Sequence, residues 1–235
     1  MFASNVPGIL FKIFLILLVF IIGVTIFLNL NPVIKVLAED AYDEADAKKP
    51  EGLMKERSIL GGLLAIAPIF YYGLSVRAVF VFLVYCVLAL LAIIDMDTQY
   101  IPPELNVVLA GLGILSIWVL PGPTMIERII GIVCVSLPLF LITVLVPGAF
   151  GGGDIKLMAA VGILLGWKGT VFGFFVGLVL GGVYAIFVLI TRKLGRKDHF
   201  AFGPFLAIGI AVSLYANFGT WAIDKYLSCF RLTIR

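Results

Sequence analysis

Residues 77–103 read RAVFVFLVYCVLALLAIIDMDTQYIPP. From Ala78 to Ile94 the run is apolar and carries no charge. At about 1.5 Å per helical residue, such a run crosses most of a bilayer core roughly 30 Å thick. It then meets two carboxylates, Asp95 and Asp97, and stops at Pro102 and Pro103, because a residue before proline is driven out of helical geometry. The stretch therefore predicts a membrane helix that holds an acid at a defined depth. Ionisable groups at the ends of such helices are costly and need a reason.

Similar runs recur along the chain. Apolar stretches predict spans at 9–30, 58–74, 77–95, 104–120, 126–146, 154–166, 168–191 and 201–221. Of 235 residues, 62% are hydrophobic and 13% charged, and the mean hydropathy is +1.17. These values exclude a soluble globular domain. Alternating apolar and polar strands are absent, which argues against a membrane β-barrel. The net charge of +3 is small and scattered, giving no basis for nucleic-acid binding. The expected fold is all-α: a polytopic integral membrane protein of about eight helices with the lipid bilayer as its main solvent. Its expected parts are an N-terminal anchor (1–30), a polar loop (31–57), a membrane-embedded domain (58–221) and a C-terminal tail (222–235). Cys86, Cys134 and Cys229 form no CxxC pair and read as small buried hydrophobes.

Basic residues orient the spans. With the N-terminus outside, the inner loops hold Lys35, Lys48, Lys49, Lys55, Arg57, Lys156, Arg192, Lys193, Arg196 and Lys197, a majority of the 17 Lys and Arg. The tail, with Lys225, Arg231 and Arg235, runs against this bias. On this reading the breaks at 95–103 and 147–153 both face the cytoplasm. The loop from Asn31 to Arg57 carries Glu39, Asp40, Asp43, Glu44, Asp46, Glu51 and Glu56, and reads as a solvated linker. Gly173, Gly177 and Gly181 recur every four residues, as do Gly162 and Gly166. Small residues at this spacing let helices approach closely in lipid. His199, in the basic loop, reads as solvated.

A second acid stands out in Gly151-Gly152-Gly153-Asp154, where glycines lead into a helix start. Alone, Asp154 is equally an N-cap, and Asp95 a span boundary. A phosphate loop would want GK[ST] and no carboxylate in its mouth. Two carboxylates brought together cannot both ionise, so one serves as acid while the other activates water against a carbonyl. This chemistry needs no metal and no cofactor, and none is expected here. Asp95 closes a helix and Asp154 opens one beside Lys156, so the helix dipoles make Asp154 the expected base and Asp95 the expected acid.

Three signatures in order resemble the type IV prepilin peptidase family, membrane aspartyl peptidases with a GxGD motif. They are Asp95-Met96-Asp97-Thr98-Gln99-Tyr100-Ile101-Pro102, then Gly151-Gly152-Gly153-Asp154-Ile155-Lys156, and Phe202-Gly203-Pro204. The resemblance implies Asp95 and Asp154 as catalytic acids, with Asp97 as the competitor for the first role. It makes Gly151, Gly152, Gly153, Lys156, Pro102, Gly203 and Pro204 supporting residues. It further implies prepilin or pseudopilin-like precursors as substrates, cut at their leader peptides on the cytoplasmic side of the inner membrane. Many bacterial members carry two CxxC pairs in a zinc-binding domain linked to N-methylation. Asn31 to Arg57 holds none, so peptidase activity without the methyltransferase is expected. Presenilin-like proteases share GxGD but place Tyr before the first Asp, where Ile94 stands here. A proton- or cation-coupled transporter would want acids deep within spans.

Overall fold

The computed structural model describes residues 6–30, 32–33, 36, 53–191 and 201–233. Most of the polar loop, His199 and the basic cluster Arg192, Lys193, Arg196 and Lys197 lie outside the described residues. In chain order the helices are α1 (Val6–Leu28), α2 (Leu53–Tyr72), α3 (Val76–Thr98), α4 (Pro103–Val119), α5 (Met125–Cys134), α6 (Ser136–Leu145), α7 (Gly152–Ile190), α8 (Gly203–Leu214) and α9 (Phe218–Thr233). The described residues hold no strand. Four stretches, Val76–Thr98, Met125–Leu145, Gly152–Ile190 and Gly203–Cys229, are long and apolar enough to cross a membrane, and three shorter apolar helices accompany them. The chain is an all-helical, polytopic membrane protein.

Local chemistry sets the helix ends. Ser75 caps α3 by accepting the Ala78 N–H, and Gln99 ends it in the left-handed region at φ 55°. Pro103 opens α4 at the first helical position, where its missing N–H costs nothing. Thr124 and Glu127 form a reciprocal capping box at the start of α5. Between α5 and α6 the chain loosens only at Val135, so the predicted span 126–146 is two short helices in succession.

The spans predicted at 154–166 and 168–191 are the two helical halves of α7, 39 residues in all, which meet at a break at Gly166 (φ 64°, ψ 176°). Only glycine adopts this conformation readily, and a Cβ there would stand 2.5 Å from Pro123 Cβ. The first half of α7 runs beside α5, where Gly131 and Gly162 bring the backbones into contact. The second half lies on α8. A Cβ on Gly173 would fall 3.2 Å from Gly209 O, one on Gly177 3.0 Å from Leu206 Cα, and one on Gly181 3.0 Å from the Phe202 ring. The glycine stripe is thus a packing face, as its spacing predicts.

The predicted last span, 201–221, is not one helix. Ala216 and Asn217 both take left-handed φ (54° and 55°), which ends α8 after 12 residues and starts α9. Residues 222–233, expected as a tail, belong to α9. Cys86 is buried and Cys134 half-buried, but Cys229, on α9, is exposed, which corrects its reading as a buried hydrophobe.

The buried centre joins α3, α4, α7 and α8 through fully enclosed Leu91, Ile94, Leu109, Leu157, Met158, Leu206 and Ile210. Tyr85 Oη donates to Ala211 O at 3.1 Å, tying α3 to α8. The α1–α2 hairpin closes on itself through Gly23 and Gly61 and meets the rest of the molecule mainly along α3. One end of the bundle gathers the loops 99–102 and 151 with the start of α8. The other gathers the turns 73–75 and 120–124, Gly166 and 215–217, joined by Asn217 Nδ2 donating to Pro121 O at 2.9 Å. About 34 Å of α3 separates the two ends.

Candidate active site

Asp95 lies in the last turn of α3 and Asp154 in the first turn of α7. Both are buried, 5% and 8% exposed, and both line a cavity of about 330 Å³ that Gln99, Ile101, Gly152 and Lys156 also border. The two carboxyls are close enough for their charges to interact. The structure therefore brings together the two acids that the sequence singled out 59 positions apart. Asp97, two positions further along α3 and so on another side of the helix, does not line this cavity.

The glycines have separate jobs. Gly153 carries no side chain because a Cβ would stand 2.7 Å from Ile101 Cβ, so the loop after α3 lies directly against the start of α7. Gly151 O accepts the Ile155 N–H in the first turn of α7, and a Cβ on Gly151 would lie 3.2 Å from Asp154 Oδ2. Gly152 has open space around it. Pro102 precedes α4 in extended geometry and turns the chain so that Ile101 reaches Gly153.

Gly203 supplies the contact least visible in the sequence. Its N–H, at the start of α8, donates to Asp95 Oδ2 at 2.8 Å, and a Cβ would sit 2.7 Å from that oxygen. Pro204 follows in the first turn, where a backbone donor is dispensable. Asp95 thus faces a helix N-terminus, as Asp154 does, and the dipole contrast expected from α3 and α7 alone is smaller than the sequence suggests. A difference remains in the hydrogen bonds. Asp95 Oδ2 is held as an acceptor, whereas Asp154 Oδ1 is buried with no hydrogen-bond partner. Phe150 and Phe202, which precede the two glycine turns, stand 6.3 Å apart and link them.

Two residues escape the sequence reading. Asn106, 6% exposed on α4, donates from Nδ2 to Gly153 O at 3.5 Å and so steadies the loop before Asp154. Arg128, 5% exposed, reaches the Pro123, Gly113, Ile163 and Leu164 carbonyls and Ser116 Oγ. It caps the first half of α7 just before the break at Gly166. A lone Asn after two prolines and a lone Arg in an apolar run carry no motif. Lys156, exposed, borders the cavity two positions after Asp154 in α7. Among the described residues no three His, Cys, Asp or Glu side chains gather as metal ligands would.

The model of the type IV leader peptidase family matches residues 82–186, a stretch that includes both Asp95 and Asp154. Relatives with the name prepilin leader peptidase/N-methyltransferase include one from Bacillus subtilis, 26% identical over 147 residues, covering 62% of this chain and 59% of the relative. One from Neisseria gonorrhoeae is 33% identical over 59% of this chain and 49% of the relative. One from Burkholderia pseudomallei is 29% identical over 69% and 53%. The chain thus spans about half to three-fifths of the length of these curated relatives. No solved structure matches it. Both acid-bearing signatures lie inside the matched stretch and the relatives in three distinct bacteria are of one kind, so residues 82–186 of the chain are similar to the type IV leader peptidase family.

Proposed function

We propose that this chain hydrolyses a peptide bond in the leader of type IV pilin-like precursors, with Asp95 and Asp154 as the acid and base. The observation that carries the reading is that two buried carboxyl groups from separate helices line one cavity at one end of the bundle. Asp154, in the first turn of α7, takes the proton of an attacking water. Asp95, whose Oδ2 accepts the Gly203 N–H, gives its proton to the substrate carbonyl; as the tetrahedral diol collapses, Asp154 passes the water's proton to the leaving amine and Asp95 takes one back from the diol hydroxyl. The chemistry has the form of aspartic peptidases and calls on no metal or cofactor.

Residues 58–221 are the proposed peptidase unit, 1–30 an anchor, and the acids face the cytoplasm in the inner membrane. N-methylation, part of the relatives' names, lies outside this reading because the chain has no CxxC pair. Purified protein in detergent, incubated with a prepilin-type precursor and a chelator, should release the leader at an undiminished rate. Asp95→Asn and Asp154→Asn should each lower that rate by about 10³-fold or more, the scale of a lost general acid or base, while Asp97→Asn keeps most of it. Full cleavage by Asp95→Asn would remove Asp95 from the mechanism.

A further inference from the structure

At the end of the bundle opposite the two acids, a cavity of about 410 Å³ is lined by Tyr71, Tyr72, Ser75, Arg77, Pro121 and Asn217. No carboxylate borders it, and among the described residues none pairs with Arg77, which is exposed. Tyr72 Oη is buried and lies near the Ala216 backbone without a hydrogen bond of normal geometry. Ser75 starts α3, so a helix N-terminus adds its positive end to the guanidinium. The two remaining polar side chains are already committed to the walls: Ser75 Oγ donates to Tyr72 O and Asn217 Nδ2 to Pro121 O. What is left is one planar cation and tyrosine hydroxyls around a space of ligand size. That set suits the oxygens of a phosphate group.

A second cavity begins at the same turn. Gly73 and Leu74, immediately before Ser75, line an apolar groove of about 460 Å³ that runs between α1 and α2 past Ile69, Phe70, Val19 and Leu15. A polar pocket at one end of a membrane bundle, joined by three consecutive residues to an apolar groove between two helices, has the two halves of a phospholipid. We infer that this end of the molecule binds an anionic phospholipid, its phosphate on Arg77 and the Tyr72 hydroxyl and an acyl chain in the α1–α2 groove.

The full chain, purified in neutral detergent and given equal phosphatidylglycerol and phosphatidylcholine, should retain phosphatidylglycerol preferentially when lipids are counted by native mass spectrometry. Arg77→Gln should lower that retention about tenfold and Arg77→Lys much less, while thermal unfolding in phosphatidylcholine alone stays as in the parent. Ile69→Trp, which fills the groove, should lower retention as well, and inorganic phosphate should compete weakly because it lacks the chain. Equal phosphatidylglycerol retention in Arg77→Gln and the parent overturns the inference. Full displacement by inorganic phosphate with no effect of Ile69→Trp overturns it too, in favour of a site for free phosphate. Should Arg77→Gln not fold, Arg77→Lys and Ile69→Trp still decide: unchanged retention in Ile69→Trp leaves no role for the groove.

Discussion

A methyl group on Gly153 would meet Ile101 at its Cβ, 2.7 Å away, rather than at the tip of its side chain. Gly153→Ala therefore cannot be relieved by trimming Ile101. Both the single variant and Gly153→Ala with Ile101→Ala should cleave a precursor about 100-fold more slowly, the effect of displacing a reacting group by roughly 1 Å. Recovery of activity in the double variant would mean that the loop after α3 yields. The same residue-scale economy governs Gly203, whose missing side chain lets its N–H reach Asp95 Oδ2. Asp95, Asp154 and the glycines around them were legible in the sequence because each sits where an apolar run breaks. Asn106 was not legible, because its task is a hydrogen bond to a residue 47 positions away.

Among the helices, α7 depends most on a neighbour. The carbonyls of Ile163 and Leu164 lose their helical partners at the Gly166 break, and Arg128 of α5 supplies donors in their place. Arg128→Met keeps much of the volume and removes every donor. It should destabilise the protein by about 2 kcal/mol or more, read as a lower unfolding temperature in detergent, because buried acceptors are left bare. Arg128→Lys should lose less. Hydropathy found the spans, since lipid-facing and buried positions are apolar alike. It missed the left-handed turn at Ala216 and Asn217, for neither residue interrupts an apolar run strongly enough to mark the end of α8. The break at Gly166 fell close to a predicted boundary because Trp167 and Lys168 follow it. Lys168 turns out to bridge Glu127 of α5 and Asp224 of α9 at 3.2 and 2.8 Å, which holds α9 at this end of the bundle.

Across the whole molecule, the two ends of the bundle should meet different compartments. In a background with Cys229→Ser, which removes the exposed native thiol, Gly152→Cys beside the acids should react with a membrane-impermeant thiol reagent only from the cytoplasm. Leu74→Cys at the far turn should react only from outside, and labelling of both from one side would contradict the proposed orientation. The basic residues that set this orientation in the sequence lie mostly beyond the described structure, so the labelling is an independent measure. The helices that bring Asp154 and Gly203 to the cavity are also notably brief: 12 residues in α8 and residues 152–165 in the first half of α7. At 1.5 Å per residue they extend only about 18–21 Å, against a hydrocarbon core of roughly 30 Å. A bilayer that thins beside these two segments would bring water and a polar peptide to the acids where the lipid is thinnest. Cleavage in reconstituted vesicles should accordingly quicken as the acyl chains shorten, and a rate indifferent to chain length would show that the remaining helices hold the membrane flat.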